Sequence, residues 1–175
     1  MKTVFVLVVV TILQVTPQEP CPPQDLNIDP KAFEGIWYVR ATKPDIFQED
    51  NNIKENYTNI DEDNDTVTGT VTTRVNGTKD EHSIATLMIM GRNLTRKYST
   101  EGENNYTAIF EILAYDDQYI IEYGKPPEES KTGLVFIRYR DECPDNQTQD
   151  KVEEALINVC LNFSDFSVDK ELNCN

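Results

Sequence analysis

The chain has 175 residues and a formal net charge of −15, with 31 Asp and Glu set against 16 Lys and Arg. That excess of negative charge repels nucleic acid and anionic membrane surfaces, so neither is expected as a partner. A single His, four Cys and no Cys-x-x-Cys leave no zinc-site pattern.

Residues 1–18 read as a secretory signal, its end placed between positions 16 and 20. Lys2 is the positive start, Val4 to Leu13 is an apolar run broken only by Thr11, and polar and Pro residues follow. A membrane span needs about 20 apolar residues, so this run is too short, and no longer one exists. Residues 19–175 are expected to be one soluble, secreted domain, long enough at roughly 155 residues for a real core. An even number of Cys behind a signal implies two disulfides among Cys21, Cys143, Cys160 and Cys174, and sequence alone leaves three pairings open. Asn-x-Ser/Thr sequons at Asn56, Asn64, Asn76, Asn93, Asn105, Asn146 and Asn162 point to a glycosylated surface.

Asp29 before Pro30 predicts a capped helical turn. The first strand runs from Gly35 to Thr42 and holds Trp37, the only Trp in the chain. Gly35 allows a backbone conformation that other residues resist. A polar, acidic loop containing Ile46 and Phe47 follows. Further strands are expected at Ile53–Ile60, Thr66–Val75, Ser83–Met90, Leu94–Ser99, Asn105–Tyr115, Tyr119–Tyr123 and Thr132–Arg140. Asn76-Gly77 is a hairpin signal, and Asp116-Asp117 turns the chain again. Eight strands at short spacing define an all-β domain, an antiparallel barrel or a sandwich. Gln149–Leu161 then carries Val152, Leu156, Val159 and Cys160 at helical spacing, with Ala155 beside them: one amphipathic helix.

These features resemble the lipocalin family. Gly35-x-Trp37-Tyr38 after a short helical turn looks like its first signature, and Tyr115-Asp116-Asp117-Gln118-Tyr119 stands where its second lies, without the usual Thr-Asp-Tyr wording. The resemblance implies an eight-stranded antiparallel up-and-down β-barrel with the helix packed outside. It also implies an Arg over the family's Trp, with Arg138 or Arg140 as the candidate. Gly35, Trp37 and Arg138 are then structural residues of a closed floor. Glu142-Cys143-Pro144, Cys160 and Cys174 resemble arthropod salivary lipocalins, those of ticks especially, and imply the pairs Cys21–Cys160 and Cys143–Cys174. Within that group the chain resembles the japanin-like proteins, which bind a sterol and alter host dendritic cells.

A barrel of this size can hold one small ligand. Alternation along the strands offers Val39, Met88, Met90, Phe110, Ile112 and Phe136 as an apolar lining for a sterol such as cholesterol, or a fatty acid. Glu111 and Glu122 either meet a cationic amine inside or are solvated strand faces, and the solvated reading is expected. Tyr57, Tyr106, Tyr119 and Tyr123 are expected in the barrel wall or rim. The expected function is a secreted carrier of a hydrophobic molecule that modulates host immunity. The alternative is a scavenger of histamine or serotonin. The mid-chain Cys-Asp and Glu-Leu-Trp/Tyr of amine-binding tick lipocalins are missing here. No cofactor, metal or enzymatic activity is expected: His82 lacks an evident nucleophile and orienting acid, and no Gly-rich phosphate loop exists.

Overall fold

A computed structural model describes residues 21, 26–44, 52–75, 79–100, 105–125 and 133–169. The expected signal segment, Ile46 and Phe47, the Asn76-Gly77 turn and Cys174 lie outside them.

A short 3-10 helix, Pro30–Phe33, opens the described fold, with Asp29 as its cap, Oδ1 accepting from the Lys31 amide at 2.9 Å. Eight strands follow: β1 Gly35–Lys43, β2 Asn52–Asp61, β3 Thr66–Val75, β4 Lys79–Met90, β5 Asn93–Thr100, β6 Tyr106–Asp116, β7 Tyr119–Gly124 and β8 Leu134–Tyr139. Each pairs antiparallel with its sequence neighbour, and β1 pairs with both β2 and β8. The sheet therefore closes into an up-and-down barrel, and the sandwich alternative falls. A two-residue edge strand, β9, Ser167–Val168, pairs with Ala41 and Thr42, where β2 has already left β1.

Seven of the eight barrel strands begin and end within about two residues of the positions that alternation predicts. The exception is β4, which starts at Lys79 rather than Ser83. Its register with β3 continues through Thr72↔His82 to Val75↔Lys79. Polar side chains near a strand end face water there, while their backbone groups still gain ladder partners.

Helix α1, Asn146–Asn158, follows β8. It starts three residues before Gln149 because Asp145 caps it, accepting from the Thr148 amide at 2.8 Å. It ends in a Schellman arrangement: the Leu161 amide donates to Leu156 O at 2.8 Å and the Cys160 amide to Ile157 O at 3.1 Å. Cys160 takes the left-handed position with φ 61°. The same residue forms the disulfide with Cys21. Cys143 is also disulfide-bonded.

Two cores result. Outside the barrel, Val152 and Leu156 of α1 and Val159 just past its end pack on Leu113, Ile121, Val135, Ile137 and Tyr139. Inside it, Trp37, Val39, Tyr57, Val67, Leu87, Leu94, Phe110, Ile112 and Ile120 form a second cluster with Phe33 beneath them. β7 and β8 are buried on both faces, by the barrel interior on one side and the helix on the other.

Candidate ligand-binding site

The barrel has one closed end. Phe33 is fully buried at the start of β1 and meets Tyr57 edge-on, ring centroids 6.5 Å apart. Trp37, also fully buried, donates from Nε1 to Phe33 O at 3.0 Å. Arg140 covers the Trp37 ring with its guanidinium 3.7 Å from the centroid. Its Nη2 donates to Ala32 O at 2.7 Å and its Nη1 to Glu34 O. These carbonyls are among those the short 3-10 helix leaves without intrahelical partners. Gly35 has φ 94° at this corner, and a Cβ there would meet Arg140 Nη1 at 3.2 Å. The Arg that packs on the Trp is therefore Arg140, and the expectation for Arg138 is corrected. Both Arg residues have the same parity, but Arg140 lies one step past the end of β8 and reaches under the floor. Arg138, still within β8, points into the barrel.

There Arg138 joins a layer of charge. Glu55 from β2, Arg96 from β5, Glu122 from β7 and Arg138 from β8 are all almost fully buried. Arg96 Nη1 donates to Glu55 Oε1 at 2.7 Å, and its Nη2 to Glu122 Oε1 at 2.8 Å. Arg138 Nε donates to Glu55 Oε2 at 2.9 Å, and its Nη1 to Glu122 Oε2 at 2.5 Å. The Tyr57 hydroxyl donates to Glu55 Oε2 at 3.2 Å. Each carboxylate is shared by two guanidiniums, and the four charges cancel. Burial alone would push the Glu55 carboxyl up, but the Arg138 and Arg96 charges outweigh it and bring it down to about 2. Burial also opposes the charge on Arg96, and Glu122 and Glu55 more than restore it. Burial pushes the Tyr57 hydroxyl well above its ordinary range, so it stays a neutral donor. The layer also meets aromatic faces: Arg96 lies 5.2 Å from the Phe110 centroid and Arg138 5.0 Å from that of Phe136.

From this layer toward the ends of β1, β3, β5 and β7, the inward side chains are mostly apolar, with Thr42, Thr73 and Ser83 as polar members opposite Phe136, Ile53 and Val71. Val39, Val71, Ala85, Phe110 and Phe136 are buried. Ile53, Tyr98, Ala108 and Leu134, nearer that end, are half-buried. Access thus increases away from the Trp37 floor. Residues 45–51, 76–78, 101–104 and 126–132 lie outside the described residues.

Of the six residues expected to line a cavity, Val39, Phe110, Ile112 and Phe136 stand inside the barrel, with the Phe110 and Phe136 rings 5.7 Å apart. Ile112 pairs with Glu122, at the level of the charged layer. Met88 and Met90 do not point inward: they are 39% and 68% exposed on the outer face. Both faces of β4 are apolar, so composition alone does not orient the strand. Its register does. Ala85, Leu87 and Ile89 pair with Tyr98, Arg96 and Leu94, and cross-strand partners share a face. Glu122 is fully buried rather than solvated, whereas Glu111 faces outward toward Arg92, at 2.9 Å, and Lys125. Tyr57 is inside the barrel, and Tyr119 packs on its outer side near the helix. Tyr106 is exposed and stacks on Tyr98 at 4.6 Å. Glu55 and Arg96 escaped the sequence reading altogether. Their signal was parity: Glu55 shares its strand face with Ile53 and Tyr57, and Arg96 with Leu94 and Tyr98.

No protein-family model and no curated protein sequence is similar enough to match the chain. Solved structures are similar throughout. A biogenic amine-binding protein superposes with a TM-score of 0.70 at 17% identity, covering 89% of this chain and 88% of its own. The amine-binding protein of Rhodnius prolixus, solved with tryptamine, gives 0.69 at 18% identity, covering 88% of each chain. The cockroach allergen Per a 4 gives 0.66 at 21% identity, covering 87% of this chain and 96% of its own. The closed eight-stranded barrel with an outer helix is the lipocalin fold.

Proposed function

We propose that the protein is a secreted carrier that takes a small hydrophobic molecule into the open end of its barrel. The observation that carries this is the division of the interior. One end is sealed by Phe33, Trp37 and Arg140, the middle is a neutralised charge layer, and the far half is mostly apolar, with Thr42, Thr73 and Ser83 as its polar members, and increasingly accessible. Val39, Phe110 and Phe136 form the proposed wall, with Ile112 at its base. The Cys21–Cys160 link supports an extracellular setting. Exposed Asn93, Asn105, Asn146 and Asn162 are the proposed glycan sites, while Asn56 is half-buried within β2 and Asn64 donates its amide to Asp61 at 2.7 Å.

The resemblance to japanin-like salivary lipocalins extends the proposal to a sterol or fatty acid as cargo and to modulation of host immune cells. Amine scavenging receives no support from the interior, because both buried carboxylates are already engaged by two guanidiniums each. Organic extraction of the protein secreted from an insect-cell host, followed by mass spectrometry, is expected to release a lipid. Phe110→Trp, which fills the wall, is expected to reduce that yield at least roughly tenfold without unfolding the barrel. Absence of any bound or bindable hydrophobe would overturn the carrier reading.

A further inference from the structure

One donor in the charged layer has no acceptor. Arg96 is fully buried, its two terminal nitrogens are spent on Glu55 and Glu122, and its Nε–H meets no protein acceptor. A buried N–H of a charged group left unpaired is costly, and such groups in folded proteins nearly always find a partner. The other three members of the layer show no such deficit.

The surroundings of Arg96 favour a ligand there. On β5 it lies between Leu94, toward the floor, and Tyr98, toward the open end. Its partner on β6 is Ala108, and Ala85 of β4 pairs with the neighbouring Tyr98. Ala108 therefore stands beside Arg96 on one flank and Ala85 one step farther from the floor, where larger side chains would fill the barrel, while Leu87 of β4 is the partner on the other flank. Phe110 closes the opposite flank against the guanidinium face.

We infer that Arg96 Nε donates to an uncharged oxygen at the buried end of an apolar ligand, so that the cargo is a neutral alcohol, ether or ketone rather than an amine or a carboxylate. This rests on the carrier reading and narrows its substrate class. The charges decide the class. Two guanidiniums and two carboxylates already cancel, so a charged head group arriving among them would be desolvated without a counter-charge. An ammonium would face Arg96 itself and would offer a donor where an acceptor is needed. A carboxylate would accept from Nε but stand beside Glu122 and Glu55.

The test uses the full secreted chain and titration calorimetry with four probes that share a ten-carbon chain: 1-decanol, decyl methyl ether, decanoate and decylamine. The alcohol and the ether are expected to bind at least roughly tenfold more tightly than the two charged probes, the ether showing that the oxygen accepts. Arg96→Lys keeps the charge and removes Nε, and is expected to erase that preference. Ala108→Leu keeps Arg96 and fills the space beside it. It is expected to do the same, and it serves if Arg96→Lys fails to fold. Tightest binding of decylamine or decanoate overturns the inference and leaves the carrier reading standing. So does equal binding of all four, or a preference unchanged in both variants. Failure of every probe to bind, with no lipid released on extraction, overturns both.

Discussion

Arg140 does three things with one side chain: it shields Trp37, donates to the orphan carbonyls of Ala32 and Glu34, and holds the 3-10 helix against the barrel. Arg140→Ala removes a close cation–π contact and charge-assisted hydrogen bonds to carbonyls that only water can then satisfy. Stability is expected to fall by about 2–3 kcal/mol in urea unfolding, with the barrel otherwise retained. A loss below about 0.5 kcal/mol would show the stack to be incidental. Gly69 is a second residue whose role is spatial. A Cβ there would stand 2.2 Å from Asn56 O and 2.6 Å from Tyr57 Cα, so β3 passes β2 at a distance only glycine permits. Gly69→Ala is expected to cost more than Arg140→Ala, because the obstacle is backbone and cannot rotate away. Of these features the sequence made Gly35 and Trp37 legible by their spacing. It left Arg138 and Arg140 undecided, because alternation reports the face of a strand and not the height along the barrel axis.

At the level of elements, the strands were legible because β-branched runs, turn residues and an outer polar face recur in register with one another. Orientation was less so. Where a helix covers the sheet, as on β7 and β8, both faces are buried and polarity loses its contrast; where the outer face is bare but apolar, as on β4, Met88 and Met90 mimic a lining. The helix itself was read from its apolar stripe, so its polar first turn was missed. α1 is held by that stripe and by the disulfide from Cys160 to Cys21, a link spanning 139 residues of sequence. Leu156, fully buried between helix and sheet, is expected to cost about 2–4 kcal/mol when replaced by Ala. Replacing Cys21 and Cys160 together by Ser is expected to cost about 3–5 kcal/mol, since a long loop is freed in the unfolded chain. Thermal unfolding of the two variants checks both. An unchanged midpoint in the double Ser variant would mean that the apolar stripe alone anchors the helix.

For the molecule as a whole, the charged layer is a gain in definition more than in stability. A buried network of this kind is often no better than well-packed apolar side chains, yet breaking it from one side is expensive. Its four members sit on β2, β5, β7 and β8, so they tie together strands far apart around the barrel wall. The layer also links stability to pH. The folded-state pKa of Glu55 is held at about 2, below its ordinary 4.5, so its stabilising contribution is complete above the unfolded value. That contribution is lost as pH falls from about 4.5 toward 2, when the proton that Glu55 refuses in the fold is taken up by the unfolded chain. Urea midpoints measured from pH 6 to pH 2 are therefore expected to drop through this window. Glu55→Gln is expected to be about 3–5 kcal/mol less stable at neutral pH, because Arg96 and Arg138 lose a shared partner. It is also expected to show a shallower decline below pH 4.5. Pairing it with Arg96→Met, which rebalances the layer, is expected to recover part of the loss while keeping the shallow profile. Parallel pH profiles for the parent protein and both variants would place the acid sensitivity elsewhere, among the surface carboxylates, and leave the layer a purely geometric brace.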